Sequence, residues 1–187
     1  MTVSLSIQTK GTWHQKNSNR PYSSLPRSVL PLSAEFKPMT QITNHCHPWS
    51  QLSYSCVGVM HIETDAGIFV IPPEQALWLP PGMDHQHFCK NKVSYRSLYF
   101  DPVLSEMLGN KVRPLTVDPL LKSLILEISN WPEDYEETAE TQRFLLVLLD
   151  RLAIAKSHEL FMPTIKDKRL LPIIETLNQE PANKFTI

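Results

Sequence analysis

Two histidine pairs carry the most chemistry in this sequence. One lies in His45-Cys46-His47-Pro48-Trp49-Ser50-Gln51, the other in His85-Gln86-His87. In an extended strand, residues i, i+2 and i+6 project from one face, so His45, His47 and Gln51 are expected to share a surface. His85 and His87, also two apart, are expected on a later strand that faces the same interior. Neutral imidazoles are good ligands for zinc, nickel, copper and iron. The carboxamide of Gln51 is a poorer ligand for such ions than a carboxylate would be. Two chemistries follow: a centre for one divalent transition metal (Zn, Ni or Fe), or histidines that line a pocket and hydrogen-bond to whatever fills it.

The neighbouring residues read as support for that site. Trp49 and Trp78 are expected as pocket walls, large enough to shape a cavity and to touch its occupant. Cys46 falls between the two histidines and should point to the opposite face, where it reads as a buried thiol. His61, in an alternating run, reads as cross-strand packing. Pro80-Pro81-Gly82 is a turn that aims the strand carrying His85.

The elements that must position these residues are short strands. QLSYSCV, VMHIETD, IFVIP, ALWLP, HQHFC and SYRSLYFD follow one another between turn signals at Gly58, Asp65-Ala66-Gly67 and Pro80-Pro81-Gly82. Many short strands at close spacing predict a barrel or sandwich. The 16 prolines stand largely at strand boundaries, which fits that reading. After Asp101-Pro102 the period changes. Asp118-Pro119 is a helix start with Leu120, Leu121, Leu124, Ile125 and Ile128 at helical spacing. A second helix begins in the acidic EDYEETAETQ segment and carries Phe144, Leu145, Leu148, Leu149 and Leu152 on one face. That face exceeds what covering a small barrel requires, and it predicts a homodimer seam. A third helix is predicted over Asp167–Gln179.

The organisation that follows is an N-terminal arm over 1–30, a barrel over 31–102, a helical dimerisation region over 103–165, and a further segment over 166–187. The chain has 187 residues, 42% hydrophobic and 20% charged, and a net charge of -1. It therefore has no global basic field that would draw in nucleic acid. Three cysteines without CxxC spacing argue against a disulfide framework or a thiolate zinc knuckle. The N-terminus lacks signal-peptide features, and the best apolar run, FLLVLL, stops at Asp150-Arg151. A cytoplasmic protein with no membrane partner is the expectation.

Together the residues resemble the cupin fold in the form carried by AraC-type (arabinose-regulator-like) transcription regulators. HCHPWSQLSYSCVG resembles the first cupin motif, with Gln51 where the motif has a metal-binding Glu. GIFVIPPEQALWLPPGMDHQHFC resembles the second, with an insertion before Pro80-Pro81-Gly82 and Cys89 at the position of an Asn. The likeness covers about residues 28 to 187. It implies a mainly β protein with C-terminal α-helices, a cupin-like β-barrel (jelly roll) followed by an antiparallel helical hairpin. It also implies a function: the effector-sensing and dimerisation half of a regulator, not an enzyme, with a small-molecule effector in the barrel. RLLPIIETLNQEPANKFTI resembles the first helix of the family's DNA-binding domain, so contact with DNA would fall to a missing C-terminal region. The alternative is a metal-dependent cupin enzyme, a dioxygenase or isomerase.

Overall fold

The computed structural model describes residues 12–18, 22–157 and 161–162. The predicted helix over 167–179 and the resemblance to a DNA-binding domain over 166–187 lie outside the described residues. Among the described residues nine strands precede the first helix: β1 (His14–Lys16), β2 (Val29–Phe36), β3 (Thr40–His45), β4 (Ser50–Val57), β5 (Met60–Thr64), β6 (Gly67–Ile71), β7 (Gln75–Leu79), β8 (His85–Cys89) and β9 (Val93–Phe100). They are followed by α1 (Pro102–Ser105), β10 (Arg113–Thr116), α2 (Pro119–Ser129), α3 (Ala139–Ile154) and β11 (Phe161–Met162).

The strands form two sheets, ordered β1-β3-β8-β5-β6-β11 and β10-β7-β4-β9-β2. Phe36, Leu77, Leu79 and Tyr95 of the second sheet pack with Ile42, Met60, Ile62 and Phe69 of the first, so one core lies between the sheets. A second core lies on the outer side of the second sheet. There Leu52, Tyr54, Trp78, Leu98 and Phe100 meet Leu121, Ile125 and Ile128 of α2 and Leu145, Leu148, Leu149 and Leu152 of α3. The result is a mainly β, cupin-like barrel with helices against one sheet, as expected.

Sequence chemistry explains the helix starts. The Asp118 side chain accepts from the Leu121 N–H with Pro119 at the first helical position. Thr138 caps α3 in the same way through the Thr141 N–H. The acidic run before α3 thus supplies a cap and a loop, and regular helix begins only at Ala139.

The sheets extend beyond the expected 31–102 on both sides. Val29 already pairs with Phe100, and β10, within the segment read as helical, pairs antiparallel with β7. The short β1 adds a parallel pair with β3, and β11 pairs with β6. RPLT of β10 is too short, and too interrupted by Pro114, to announce itself by alternation. Part of the expected arm lies on the helical side: Arg27 donates to the Tyr135 carbonyl (2.8 Å) and the Ser28 N–H to Glu137 (2.7 Å).

The expected dimer seam is corrected by burial. Leu145, Leu148, Leu149 and Leu152 are 4% exposed or less and are spent on the second core, and Phe144 packs edge-on against Trp131. A barrel whose outer sheet face is itself apolar needs that whole stripe. The exposed apolar residues of α3 are instead Leu146, Val147 and Ile154.

Candidate functional site

The HCHPWSQ stretch is not one strand. His45 ends β3 in the first sheet, Gln51 lies in β4 of the second, and His47 sits in the crossing between them. The three still converge, because the crossing folds over one end of the barrel. The Gly82 N–H holds it there by donating to the His47 carbonyl at 2.8 Å. Gly82 has a φ of +72°, a conformation that favours glycine, so Pro80-Pro81-Gly82 acts as the expected geometric device.

His45 and His85 are direct partners across the β3–β8 ladder, after a bulge that follows Ile42. Their ring centroids are 4.2 Å apart, and His47 lies 5.2 Å from His85. The potential ligand nitrogens of His45, His47 and His85 all lie within 4.8 Å of one another. His87, two residues on, has its ring centroid 5.4 Å from that of His85 and 5.7 Å from that of Tyr95. The structure therefore brings together all four histidines and Gln51.

Each ring is oriented by its backbone surroundings. Nδ1 of His45 is 2.8 Å from the Thr43 carbonyl, and Nδ1 of His85 is 2.7 Å from that of Met83. A carbonyl at Nδ1 fixes the proton there and leaves Nε2 as a lone-pair donor. Nε2 of both residues is buried without a partner. His47 is engaged at both nitrogens, Nδ1 with the Trp49 carbonyl (2.7 Å) and Nε2 with the Gln51 side chain (2.8 Å). Gln51 in turn donates to the Tyr95 hydroxyl (2.8 Å) and Ser97 (3.0 Å). The donor set fits a divalent transition ion: three imidazoles, two with bare buried Nε2 atoms, each ring held from behind by a backbone carbonyl. To recruit His47, the ion would have to displace Gln51.

Burial dominates the electrostatics. It pushes His85 down to about 3 and His87 well below the ordinary 6.5, and neighbouring imidazoles add to both effects. It lowers His45 and His47 as well. The cluster is thus neutral at physiological pH, the state in which imidazole ligates metals or accepts a hydrogen bond.

Trp49 and Trp78 part company. Trp49 stacks on His47 with ring centroids 5.3 Å apart and meets Tyr99 edge-on, so it walls the site. Trp78 lies on the opposite face of β7, in the second core, where its Nε1–H donates to the Gly109 carbonyl at 3.2 Å. The expectation of Trp78 as a pocket wall is therefore corrected: its neighbours Leu77 and Leu79 face the interior, and alternation turns Trp78 outward. Cys46, expected as a buried thiol, is exposed instead, because it lies in the crossing between the sheets and not within a strand.

Below the histidines lies a cavity of about 380 Å³, lined by Leu32, Ala34, Phe36, Ile42, His87, Tyr95 and Tyr99, with Lys16, Asn17 and Ser18 at its rim. The tyrosines and β2 residues went unremarked in the sequence. Tyr95, Ser97 and Tyr99 alternate along β9, so the signal was present, but the sequence does not say which face is inside.

Residues 35–162 match the family described as the AraC-like ligand binding domain. The HTH-type transcriptional regulator NimR of Escherichia coli (strain K12) is 23% identical over 138 residues, 74% of this chain and 50% of that protein. The chain thus spans about half the length of this curated relative. The solved structure of ToxT from Vibrio cholerae superposes with a TM-score of 0.52 at 7% identity, covering 86% of this chain and 68% of that one. An RmlC-like cupin from Shewanella frigidimarina NCIMB 400 matches with a TM-score of 0.34 at 23% identity, over 38% of this chain and 67% of that one.

Proposed function

The chain belongs to the AraC-like ligand-binding domain family, and from that premise we propose that it is the effector-sensing part of a DNA-binding transcription regulator. A small molecule in the barrel cavity is the signal. The observation that carries this reading is the cavity itself, about 380 Å³ between the two sheets, with apolar walls and a few buried polar groups. That volume and lining are what small-molecule sites have. Contact with DNA falls to a region outside the described residues, and the protein works in the cytoplasm. Among the described residues, no helix is long and apolar enough to cross a membrane.

His45, His47 and His85 would hold a divalent transition ion, zinc, nickel or iron. When bound, such an ion supplies a positive centre able to polarise an oxygen of the occupant. A metal-dependent enzyme is the second reading, and the same three histidines favour it. The regulator reading is preferred because NimR, similar over 74% of this chain, is a transcriptional regulator. A homodimer belongs to the proposal too. Its seam would use the outward Leu146 and Val147, since the inward leucines of α3 are occupied.

The test is a chimera of residues 1–187 with an unrelated DNA-binding domain, driving a reporter from that domain's operator. Reporter output should change with compounds that bind the chain, and Ala34→Trp, which fills the cavity, should abolish the change. An output indifferent to every compound that binds would overturn the reading.

A further inference from the structure

One row of residues runs across the first sheet and ends in a lysine. Lys16 pairs with Ile42, Ile42 with His87, His87 with Ile62, and Ile62 with Phe69. Residues directly opposite across a ladder project from the same face. Ile42, Ile62 and Phe69 are 6% exposed or less and belong to the cores, so this face is the barrel interior. Lys16 therefore shares that face, at the exposed rim of the cavity. Its Nζ lies 5.3 Å from the centroid of the Phe36 ring, which belongs to the opposite sheet, so the ammonium stands over the mouth of the cavity. Among the described residues the ion pairs are Arg96–Glu35 and Arg151–Asp118, and no carboxylate pairs with Lys16.

The other polar member of the row is His87. It is 1% exposed, and neither ring nitrogen has a partner. A neutral imidazole offers one N–H and one lone pair, and leaving both unmet in a buried position is costly. His87 and Lys16 line the same cavity, His87 buried within it and Lys16 at its exposed rim. Two ladder spacings, roughly 10 Å, separate their backbones, a gap that a carboxylate group closes when the long lysine stem approaches from one side and the imidazole from the other.

We propose that the effector is a small organic monocarboxylate, its anionic group held between Lys16 and His87 and its apolar body against Phe36 and Leu32. The proposal rests on the reading of the barrel as a sensing pocket and names the class of molecule sensed. One cation in the lining matches one negative charge. A phosphate dianion would leave charge unmatched, and a neutral polyol would leave the ammonium unpaired while burying hydroxyls against apolar walls. A lysine on an edge strand also blocks pairing with other chains, and β1 is an edge. That role accounts for Lys16 alone, and leaves the unpartnered His87 unexplained.

The experiment is titration calorimetry of the 187-residue chain with hexanoate and 4-phenylbutanoate, each compared with its primary amide. At least one acid should bind at least tenfold more tightly than its amide. Lys16→Met should erase that preference, Lys16→Arg should keep it, and His87→Leu, checked for folding by circular dichroism, should weaken the acid at least tenfold. Three results would overturn the carboxylate: amides that bind as tightly as acids, acid binding unchanged in Lys16→Met, or no acid binding at all. Failure here is separable from failure of the sensing reading. A neutral molecule that binds and is excluded by Ala34→Trp would sink the carboxylate and leave the sensor standing, whereas binding of every kind indifferent to Ala34→Trp would count against the sensor.

Discussion

His45 and His85 are held in the same way from opposite strands: each gives Nδ1 to the carbonyl two residues before it, at Thr43 and Met83, and their rings meet at 4.2 Å. This repeated anchoring leaves two bare Nε2 atoms side by side, the arrangement that orients imidazoles toward a common ligand. Addition of Zn²⁺ or Ni²⁺ is expected to raise the melting temperature of the wild-type chain, because a ligand that binds only the folded state stabilises it by mass action. His85→Ala should remove the rise. Gln51→Glu should tighten binding by roughly tenfold or more, since a carboxylate ligates such an ion better than a neutral amide does. A wild-type melting temperature insensitive to both ions would refute the metal fit.

Acid should destabilise the fold through its neutral histidines. Burial lowers His61 from 6.5 to about 4, and Lys90 adds to the effect. The unfolded chain takes up a proton near 6.5 and the folded chain does not, so stability is full above that value and declines as pH falls from 6.5 toward 4. His85 extends the same decline toward 3. His61→Gln should flatten the fall in melting temperature between pH 6.5 and 4 without altering metal binding. An unchanged slope would show that His61 stays protonated in the fold.

Gly58 makes a separate, structural prediction. Its φ is +84°, and a Cβ there would lie 2.2 Å from the Lys92 carbonyl oxygen. Gly58→Ala must shift the backbone beside β4 and β9, in addition to about 1–3 kcal/mol for the left-handed conformation. Urea denaturation should show a loss of at least about 2 kcal/mol; a smaller loss would mean the β4–β5 turn rebuilds freely.

The strands from β4 to β9 were legible because alternation and turn residues agree there. The four histidines and Gln51 were legible as a group because parity and chemistry point the same way. Parity alone, however, cannot show that a chain has changed sheets, so HCHPWSQ read as one strand although His47 stands in the crossing between two. Nor does it show which face is inside. Leu52 and Trp78 look outward into a helix-covered core, while Ser53, Ser97 and Tyr95 look inward. The second sheet is buried on both sides, which removes the polar-out signal that normally marks the inner face. For β1 and β10, three and four residues long, local sequence carries too little pattern, and their pairing is decided by the barrel they close.

The same limit explains the leucines of α3. A helical stripe shows that one face is buried, and leaves open whether the chain's own barrel or a second copy covers it. Leu148 is 0% exposed and sits in the core with Leu152 and Ile125, so Leu148→Ala should cost roughly 2–5 kcal/mol. Leu148→Glu would bury an unpaired charge, and loss of the folded circular dichroism spectrum is expected. Leu146, one turn face away and 58% exposed, separates packing from pairing. Leu146→Glu should leave the unfolding free energy within about 0.5 kcal/mol of wild type, as surface changes do. An isologous contact repeats each side chain across its axis, so one glutamate at a seam is felt twice. In sedimentation velocity, Leu146→Glu is therefore expected to convert the dimer to monomer while the fold persists. A dimer that survives the substitution would place the seam elsewhere, and a wild-type monomer at high micromolar concentration would end the proposal of a homodimer.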